Sequence, residues 1–498
     1  MKKIIILLLT FALLSTQLVF AEGNKEMNGK NYGFHVESDG TITLEGEPFY
    51  GFGVNYYAAF ARHVESEEQR TDEFKAGLAG LSSYNIPFIR IPLCSYLPTY
   101  YDLFDRDPER VFSYMDQVLD ECYKNHIGVV CSLMWWSSVV PAHVGGKRSD
   151  IGVIGSPTLE YAKNYTKAIV ERYADHPAVW AWEVGNEYNL DADLCDKEFK
   201  IFLWPDGIAS MPKENINGYD YYTSEELRTF YTEVAKVIRQ YDTYRMITTG
   251  NGEMRPFAYA IYKSSQKMSK DHTWEMRWNG NTRKQFDEMN AYMTPDPIDT
   301  LSFHLQSGSA DGSNKYVMEF DMFGERLSSE EYFKAYYDTA KALGKACYFG
   351  EFGDMLDMES APDVIEKFKE VTDAISASGI QIASLWQFQD YTDAGVAGEK
   401  LKVLSDLNLK LKTDGKQKTD AAWADKTDVT ETVTETEVIT ETEKGTETEK
   451  AADTDETVTD AVKEPAAQKN YLPVILGISA AVIAVCVITA VLIKKKKK

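Results

Sequence analysis

Cysteine and histidine are both scarce here, six and seven among 498 residues. Cys486 sits in an apolar C-terminal stretch. Cys94, Cys122, Cys131, Cys195 and Cys347 match no zinc-type spacing, so buried free thiols are expected rather than a metal knot or a dense disulfide framework. His63, His143 and His176 form no sequence cluster that would suggest a metal centre. Positive charge is also short, with 53 Lys and Arg against 77 Asp and Glu, a net −24. The deficit is uneven. Sixteen acidic residues and seven lysines give 413–470 a net −9, while 471–498 carries five lysines and no acid. Two more lysines lie in residues 1–21, which leaves residues 22–412 at −22. A body so acidic lacks the Lys/Arg clusters that neutralise phosphates, which excludes a nucleic-acid partner. No G-x-G-x-x-G follows the first strand-like run, so nothing implies a dinucleotide, and no cofactor or metal is expected. Apolar residues at 44% and aromatics at 12% exclude whole-chain disorder.

The two ends read as membrane-targeting segments. Lys2 and Lys3 precede an apolar run over 4–14 broken only by Thr10, and the segment closes on Val19-Phe20-Ala21. This pattern predicts a signal peptide over 1–21, cut after Ala21. Residues 474–493 hold no charge, enough chain to cross ~30 Å of hydrocarbon. Lys494–Lys498 follow directly and belong on the cytoplasmic side. Between body and anchor runs a Thr/Glu tract, with too few large apolar residues to offset its ordering entropy. The expected organisation is a folded domain over 22–412, a disordered stalk over 413–470 and a transmembrane anchor with basic tail over 471–498. The folded domain would then be extracellular, on a single-pass membrane protein.

Within the body, Phe34 to Gly46 alternates around Asp39-Gly40 and predicts a β-hairpin. Buried-strand runs follow at 50–55, 86–91, 127–133, 179–186, 246–249, 298–303, 346–351 and 382–387. Helical patterns fall at 108–125, 157–173, 224–241, 328–343 and 362–378, each with Ser or Pro near its start. Eight strands with helical crossovers predict an α/β fold of the (β/α)8 TIM-barrel type; a doubly wound open sheet is the alternative. Long insertions at about 188–222 and 250–297 follow the fourth and fifth strands, on the face where a barrel builds its site.

Two strand ends carry a glutamate there: Asn186-Glu187 on the fourth and Gly350-Glu351-Phe352-Gly353 on the seventh. Opposed carboxylates across a barrel mouth suit glycoside hydrolysis with retention, one protonating the leaving oxygen while the other attacks the anomeric carbon. Glu183 shares strand parity with Glu187 but lies deeper, where a structural hydrogen-bonding role is expected.

With these motifs the chain resembles glycoside hydrolase family 5, in the clan of retaining (β/α)8 glycosidases that includes cellulases and β-mannanases. The resemblance spans residues 34–412, and the segment from Pro48 to Tyr57 is similar to mannanase-like members. It implies Glu187 as general acid/base, Glu351 as nucleophile and Asn186 as donor to the sugar 2-hydroxyl. By the same resemblance Arg90 positions the nucleophile, His304 is the strand-6 histidine and Trp386 the platform under the sugar. Trp135 and Tyr56 complete the candidate substrate-binding set. Trp135 and Trp136 alternate faces, so at most one meets sugar. Trp274 and Trp278, one helical turn apart, are expected to pack together. Two departures stand out. The chain reads Met134-Trp135-Trp136 where the family usually has a strand-3 histidine, and Gln306 where a tyrosine orients the nucleophile. Tyr292 or another loop tyrosine is a candidate replacement. The implied partner is a β-linked polysaccharide or oligosaccharide, β-mannan or β-glucan. A catalytically silent glycan-binding surface protein and a cell-wall transglycosylase remain the alternative readings.

Overall fold

The computed structural model describes residues 32–65, 71–94, 98–193, 222–267, 280–307, 319–354, 362–388 and 395–423. Three short antiparallel strands come first, β1 (Phe34–Val36), β2 (Ile42–Leu44) and β3 (Glu47–Pro48). Eight parallel strands then close a barrel. In chain order these are β4 (Gly51–Asn55), β5 (Phe88–Pro92), β6 (Gly128–Met134) and β7 (Val179–Gly185), followed by β8 (Met246–Thr248) and β9 (Thr300–Ser307). A hairpin of β10 (Glu319–Met322) and β11 (Glu325–Ser328) precedes the last two, β12 (Ala346–Asp354) and β13 (Ile382–Leu385). Closure is β13 against β4, with Ile382 opposite Gly51. This is the TIM barrel expected from the strand–helix alternation, and the open-sheet alternative is excluded.

The crossover helices begin where short polar side chains can take up free amide N–H groups. Asp107, Ser156, Thr223 and Ser328 each accept from a backbone N–H in the first turn, and Glu226 and Glu331 return the bond to complete capping boxes. Such caps stabilise a helix by about 1 kcal/mol each. They set where each crossover starts, and so the length of loop left at the barrel's mouth.

The opposite end is closed by aromatics. Phe34 and Phe49, brought under the barrel by the N-terminal strands, pack on Phe88 and Trp180 with ring centroids 4.9–6.5 Å apart. Gly128 makes room for Trp180: a Cβ there would lie 1.9 Å from the indole. Residues 413–423, expected to begin the stalk, belong to the folded body instead: Thr413 ends the helix Gly395–Thr413, and the chain after it joins this floor. Gln417 donates to Tyr50 O, Ala422 is buried, and Trp423 stacks on Trp180 and His126. The reason is local, since Ala422 and Trp423 are apolar surface inside an otherwise polar tract. Among the described residues no helix is long and apolar enough to cross a membrane. The expected signal peptide, the anchor and the stalk from 424 onward lie outside the described residues.

Cys94, Cys122, Cys131 and Cys347 are buried free thiols. Cys195, Trp274 and Trp278 fall outside the described residues, as does the side chain of Gln306.

Candidate active site

Arg90, midway along β5, is fully enclosed. Its Nε lies 2.9 Å from both carboxylate oxygens of Glu183. Nη1 donates to Asn55 Oδ1 at 2.8 Å and to Glu351 Oε1 at 2.6 Å, and Nη2 donates to Asn186 Oδ1 at 2.7 Å. Burial opposes the guanidinium charge, but Glu183 and Glu351 outweigh it and hold the pKa above its ordinary value. Three other strands of the barrel, β4, β7 and β12, thus converge on one side chain. Glu183 lies below it, while Asn186 and Glu351 lie toward the mouth.

A break in strand register aims Glu351 at the mouth. Along β12 and β9, Phe349 pairs with Phe303, yet Glu351 pairs with the next residue, His304. Gly350 is the extra residue of a β-bulge, which rotates everything after it by one position. Phe349 therefore packs outward on Phe303 and Phe333, while Glu351 turns inward to Arg90. Gly350 leaves no room for a side chain, since a Cβ would approach His304 Nε2 to 2.5 Å. Its carbonyl accepts from Asn55 Nδ2 at 2.9 Å.

Glu187 is placed by a different device. Its backbone is left-handed, with φ at 56°, an unusual conformation for a residue with a Cβ. The Glu187 N–H donates to Gly250 O at 2.7 Å, and Gly185 N donates to Thr249 O at 3.2 Å. The turn after β7 is therefore locked to the turn after β8. About a third of the Glu187 side chain stays open to the mouth.

His304 stands between the two glutamates. Nδ1 is 3.2 Å from Glu187 Oε1 and 3.5 Å from Glu351 Oε1. Burial is the main cause lowering its pKa to about 4, so the ring is neutral. Two carboxylates facing Nδ1 select the tautomer with the proton there, leaving Nε2, buried and unpartnered, as a bare acceptor. Glu187, His304 and Glu351 bring one donor atom each to within 4.8 Å of one another. They are the one grouping among the described residues able to hold a cation, and Arg90 already supplies a positive charge to one of its carboxylates. Burial raises the carboxyl of Glu187, with Asp191 adding to the shift and Arg90 opposing it. Burial also raises Glu351, against the pull of His304 and Arg90.

An aromatic wall flanks the carboxylates. Trp386, directly after β13, lies nearly parallel to Trp135 at 6.1 Å, and Tyr57 meets both rings edge-on or tilted at 5.1 and 6.1 Å. Trp386 and Tyr57 are partly exposed, whereas Trp135 is only 3% exposed. Trp135 is therefore not an open sugar surface. Tyr56 is a correction: fully buried, it packs on Phe388 and reaches Gly77 of the helix Thr71–Ser83, away from the mouth. Tyr56 shares the strand parity of Phe52 and Val54, which pack outside the strand, whereas Tyr57 shares that of the inward Asn55 and takes the expected position. Tyr292 is also remote. It packs on Tyr262 and under the Arg228 guanidinium, so it does not replace the strand-6 tyrosine. His143 lies between Asp102 and Asp105, His176 contacts Asp120, and His63 packs on Phe74 and Tyr114.

The sequence reading missed Asn55, Tyr57 and Glu253. Asn55 is the last residue of a buried strand, and a polar side chain there was the available signal. Glu253 gave none, because it lies inside a long insertion. Asn189 Nδ2 donates to the carbonyls of Gly252 and Glu253, and Gly252 N donates back to Asn189 Oδ1. This clamp holds the Glu253 segment against Glu187, whose Oε1 lies 3.3 Å from where a Cβ on Gly252 would sit. Burial, then the charge of Glu187, raises the Glu253 carboxyl to about 7.

Residues 54–392 match the family model described as cellulase (glycosyl hydrolase family 5). The chain is 28% identical over 217 residues to a mannan endo-1,4-beta-mannosidase of Solanum lycopersicum, covering 37% of this chain and 50% of that one. It is 29% identical over 112 residues to a beta-galactosidase of Planococcus, covering 18% and 16% respectively. The chain thus spans half or less of the length of these relatives. Among solved structures it is similar to an endo-1,4-beta-mannanase from Rhizomucor miehei, with TM-score 0.51 and 14% identity over 76% of this chain and 99% of that one. A family 5 mannosidase from the same organism gives TM-score 0.50 and 13% identity over 77% and 99%. At such identity these two likenesses speak to the fold.

Proposed function

The chain belongs to glycosyl hydrolase family 5 and is a glycoside hydrolase of the cellulase and mannanase-like kind, and from that premise we propose that it cleaves a β-1,4-linked mannan-type polysaccharide by double displacement with retention. The observation that carries the mechanism is the closeness of the two glutamates, each of which brings a carboxylate oxygen within 4.8 Å of one on the other. That is near the ~5–5.5 Å of retaining enzymes and too close to admit the water of an inverting one.

In the first step the Glu351 carboxylate, oriented by its bond to Arg90 Nη1, attacks the anomeric carbon and forms a glycosyl-enzyme ester. Glu187 gives its proton to the departing oxygen. In the second step Glu187, now a carboxylate, takes a proton from water, which attacks the same carbon and releases Glu351. The change in Glu187 follows from charge. Burial raises the Glu187 carboxyl, and two carboxylates this close oppose each other's ionisation, so esterification of Glu351 removes a negative neighbour and favours the Glu187 carboxylate in the second step. Asn186 has its Oδ1 occupied by Arg90, which turns its amide N–H2 toward the sugar, where it would donate to the 2-hydroxyl. His304, protonated at Nδ1, can donate to whichever glutamate bears the charge. Trp386 offers the exposed face on which a pyranose ring stacks.

The sequence of the ends supports a site of action outside the cell on a tethered enzyme: a cleavable leader over 1–21 and an uncharged stretch over 474–493 followed by five lysines. The relatives support mannan ahead of glucan, since the Solanum relative and both Rhizomucor neighbours act on mannose-containing substrates by their names.

The test is to incubate the purified extracellular part with mannan, glucomannan, cellulose and mixed-linkage glucan, following the anomeric configuration of new ends by NMR. Oligosaccharides released from mannan as the β-anomer are expected. Release of the α-anomer would overturn retention, cleavage confined to glucans would overturn the mannan assignment, and binding without release would favour a silent receptor. Products longer than the donor would favour transglycosylation.

A further inference from the structure

Trp135 is too buried to carry a sugar, yet its ring does not simply fill the core. The Arg90 guanidinium carbon lies 4.6 Å from the Trp135 ring centroid, so the indole covers the face of the cation. The edges of the same guanidinium are taken by Glu183, Asn55, Glu351 and Asn186. Edges and face together enclose a positive charge with no exposure to solvent. Trp135 also lies nearly parallel to Trp386, and its backbone N–H is directed at Cys94 Sγ, 3.2 Å away.

We propose that Trp135 is a positioning residue for the nucleophile, holding the Arg90 guanidinium flat and dry so that Nη1 fixes the Glu351 carboxylate for in-line attack. Three physical effects converge. An aromatic face attracts a cation, and more strongly once water is excluded. Removing water lowers the local dielectric and strengthens the bond between Arg90 and Glu351. A planar lid confines the guanidinium to the plane in which its donors meet four partners, and a reacting carboxylate displaced by even a fraction of an ångström loses rate. This role rests on the proposed function, because it presupposes that Glu351 is the attacking group. It also accounts for the unusual residue on this strand: a large apolar ring takes over a position where the family usually carries a polar one, and acts through Arg90 instead of on the sugar.

The test compares W135F with W135L, which are similar in bulk while only phenylalanine keeps a π face. The readout is the rate at which a 2-deoxy-2-fluoro glycosyl fluoride traps Glu351, per folded molecule, with peptide mass spectrometry to identify the ester. W135F should be labelled within about threefold of the wild-type rate and W135L about tenfold or more slower, the range of a desolvated cation–π contact. KM for polymer should change little in both variants, because Trp386 still carries the sugar. Equal trapping rates in W135L and wild type would overturn the proposal, as would a loss confined to KM. If W135L misfolds, trapping by W135F and W135Y decides, since a merely space-filling role predicts rates that follow side-chain volume. Failure of the wild-type protein to be labelled at all would instead sink the assignment of Glu351 and leave the packing of Trp135 unexplained.

Discussion

The backbone N–H of Glu187 donates to the carbonyl of Gly250 at 2.7 Å, and this bond joins the proposed acid/base residue to the neighbouring strand end. Both partners are in left-handed conformations, Glu187 at φ 56° and Gly250 at φ 72°. Glycine adopts that region freely, whereas glutamate is strained there by roughly 1–3 kcal/mol. Gly250 is therefore the residue that the arrangement depends on. A Cβ at 250 would lie 1.9 Å from Gly185 O and 2.7 Å from the Glu183 carboxyl carbon. G250A is expected to cost more than the strain of one left-handed residue, above about 2 kcal/mol, and to lower kcat at least tenfold. Thermal melting and kinetics on the folded fraction measure both. A variant as stable and active as wild type would mean that the turn relaxes without moving Glu187.

The two glutamates should fail differently. With E351Q no ester can form, and turnover should be lost while sugar binding survives. E187A keeps the nucleophile, so substrates with good leaving groups should still glycosylate Glu351, whereas polymer cleavage should drop by about 10²–10⁴. Added azide should then restore turnover of the activated substrate and yield a β-glycosyl azide. An α-azide would place the nucleophile elsewhere.

Much of this was legible in the sequence, and the failures share a cause. Strand and helix positions followed from apolar runs and capping residues, so the barrel, the strand end bearing Glu187 and the strands of Arg90 and His304 could be read directly. Facing is harder, because it depends on every residue between two points keeping strict alternation. Gly350 breaks alternation by a bulge, and only that break turns Glu351 inward. Tyr56 as a sugar contact disregards facing, since it lies on the outward side with Val54, while Tyr57 follows Asn55 to the partly exposed side. Composition hid the floor as well, since residues 413–423 were counted with the polar tract that follows them. Trp135 on Arg90 and Glu253 beside Glu187 are contacts between distant segments, for which a single sequence offers no spacing rule.

Arg90 is a second point where geometry sets a firm expectation. Its five bonds to four partners require a planar fork, which lysine cannot reproduce with one ammonium. R90K should leave Glu183 or Glu351 without its partner in a buried site. Breaking one buried pair costs about 3–5 kcal/mol. Stability should fall on that scale, with kcat reduced far more than KM is raised. Chemical denaturation and steady-state kinetics test the split, and an unaltered midpoint would show that water replaces the missing donors.

Glu253 supplies the pH signature. Its carboxyl is raised to about 7, first by burial and then by the charge of Glu187, well above the value near 4.5 of an unburied glutamate. A folded-state pKa above the unfolded one means that the protonated form is favoured in the fold. The associated stability is complete below about pH 4.5 and is lost as pH rises through 7, by up to about 3 kcal/mol. E253Q stays neutral throughout, so its melting temperature should exceed that of wild type by more at pH 8 than at pH 5. Because the ionised Glu187 adds to the burial that raises Glu253, removing that charge should lower it, so in E187Q the loss of stability with rising pH should begin at lower pH than in wild type. Parallel melting curves of wild type and E253Q at the two pH values would show that Glu253 does not carry this dependence.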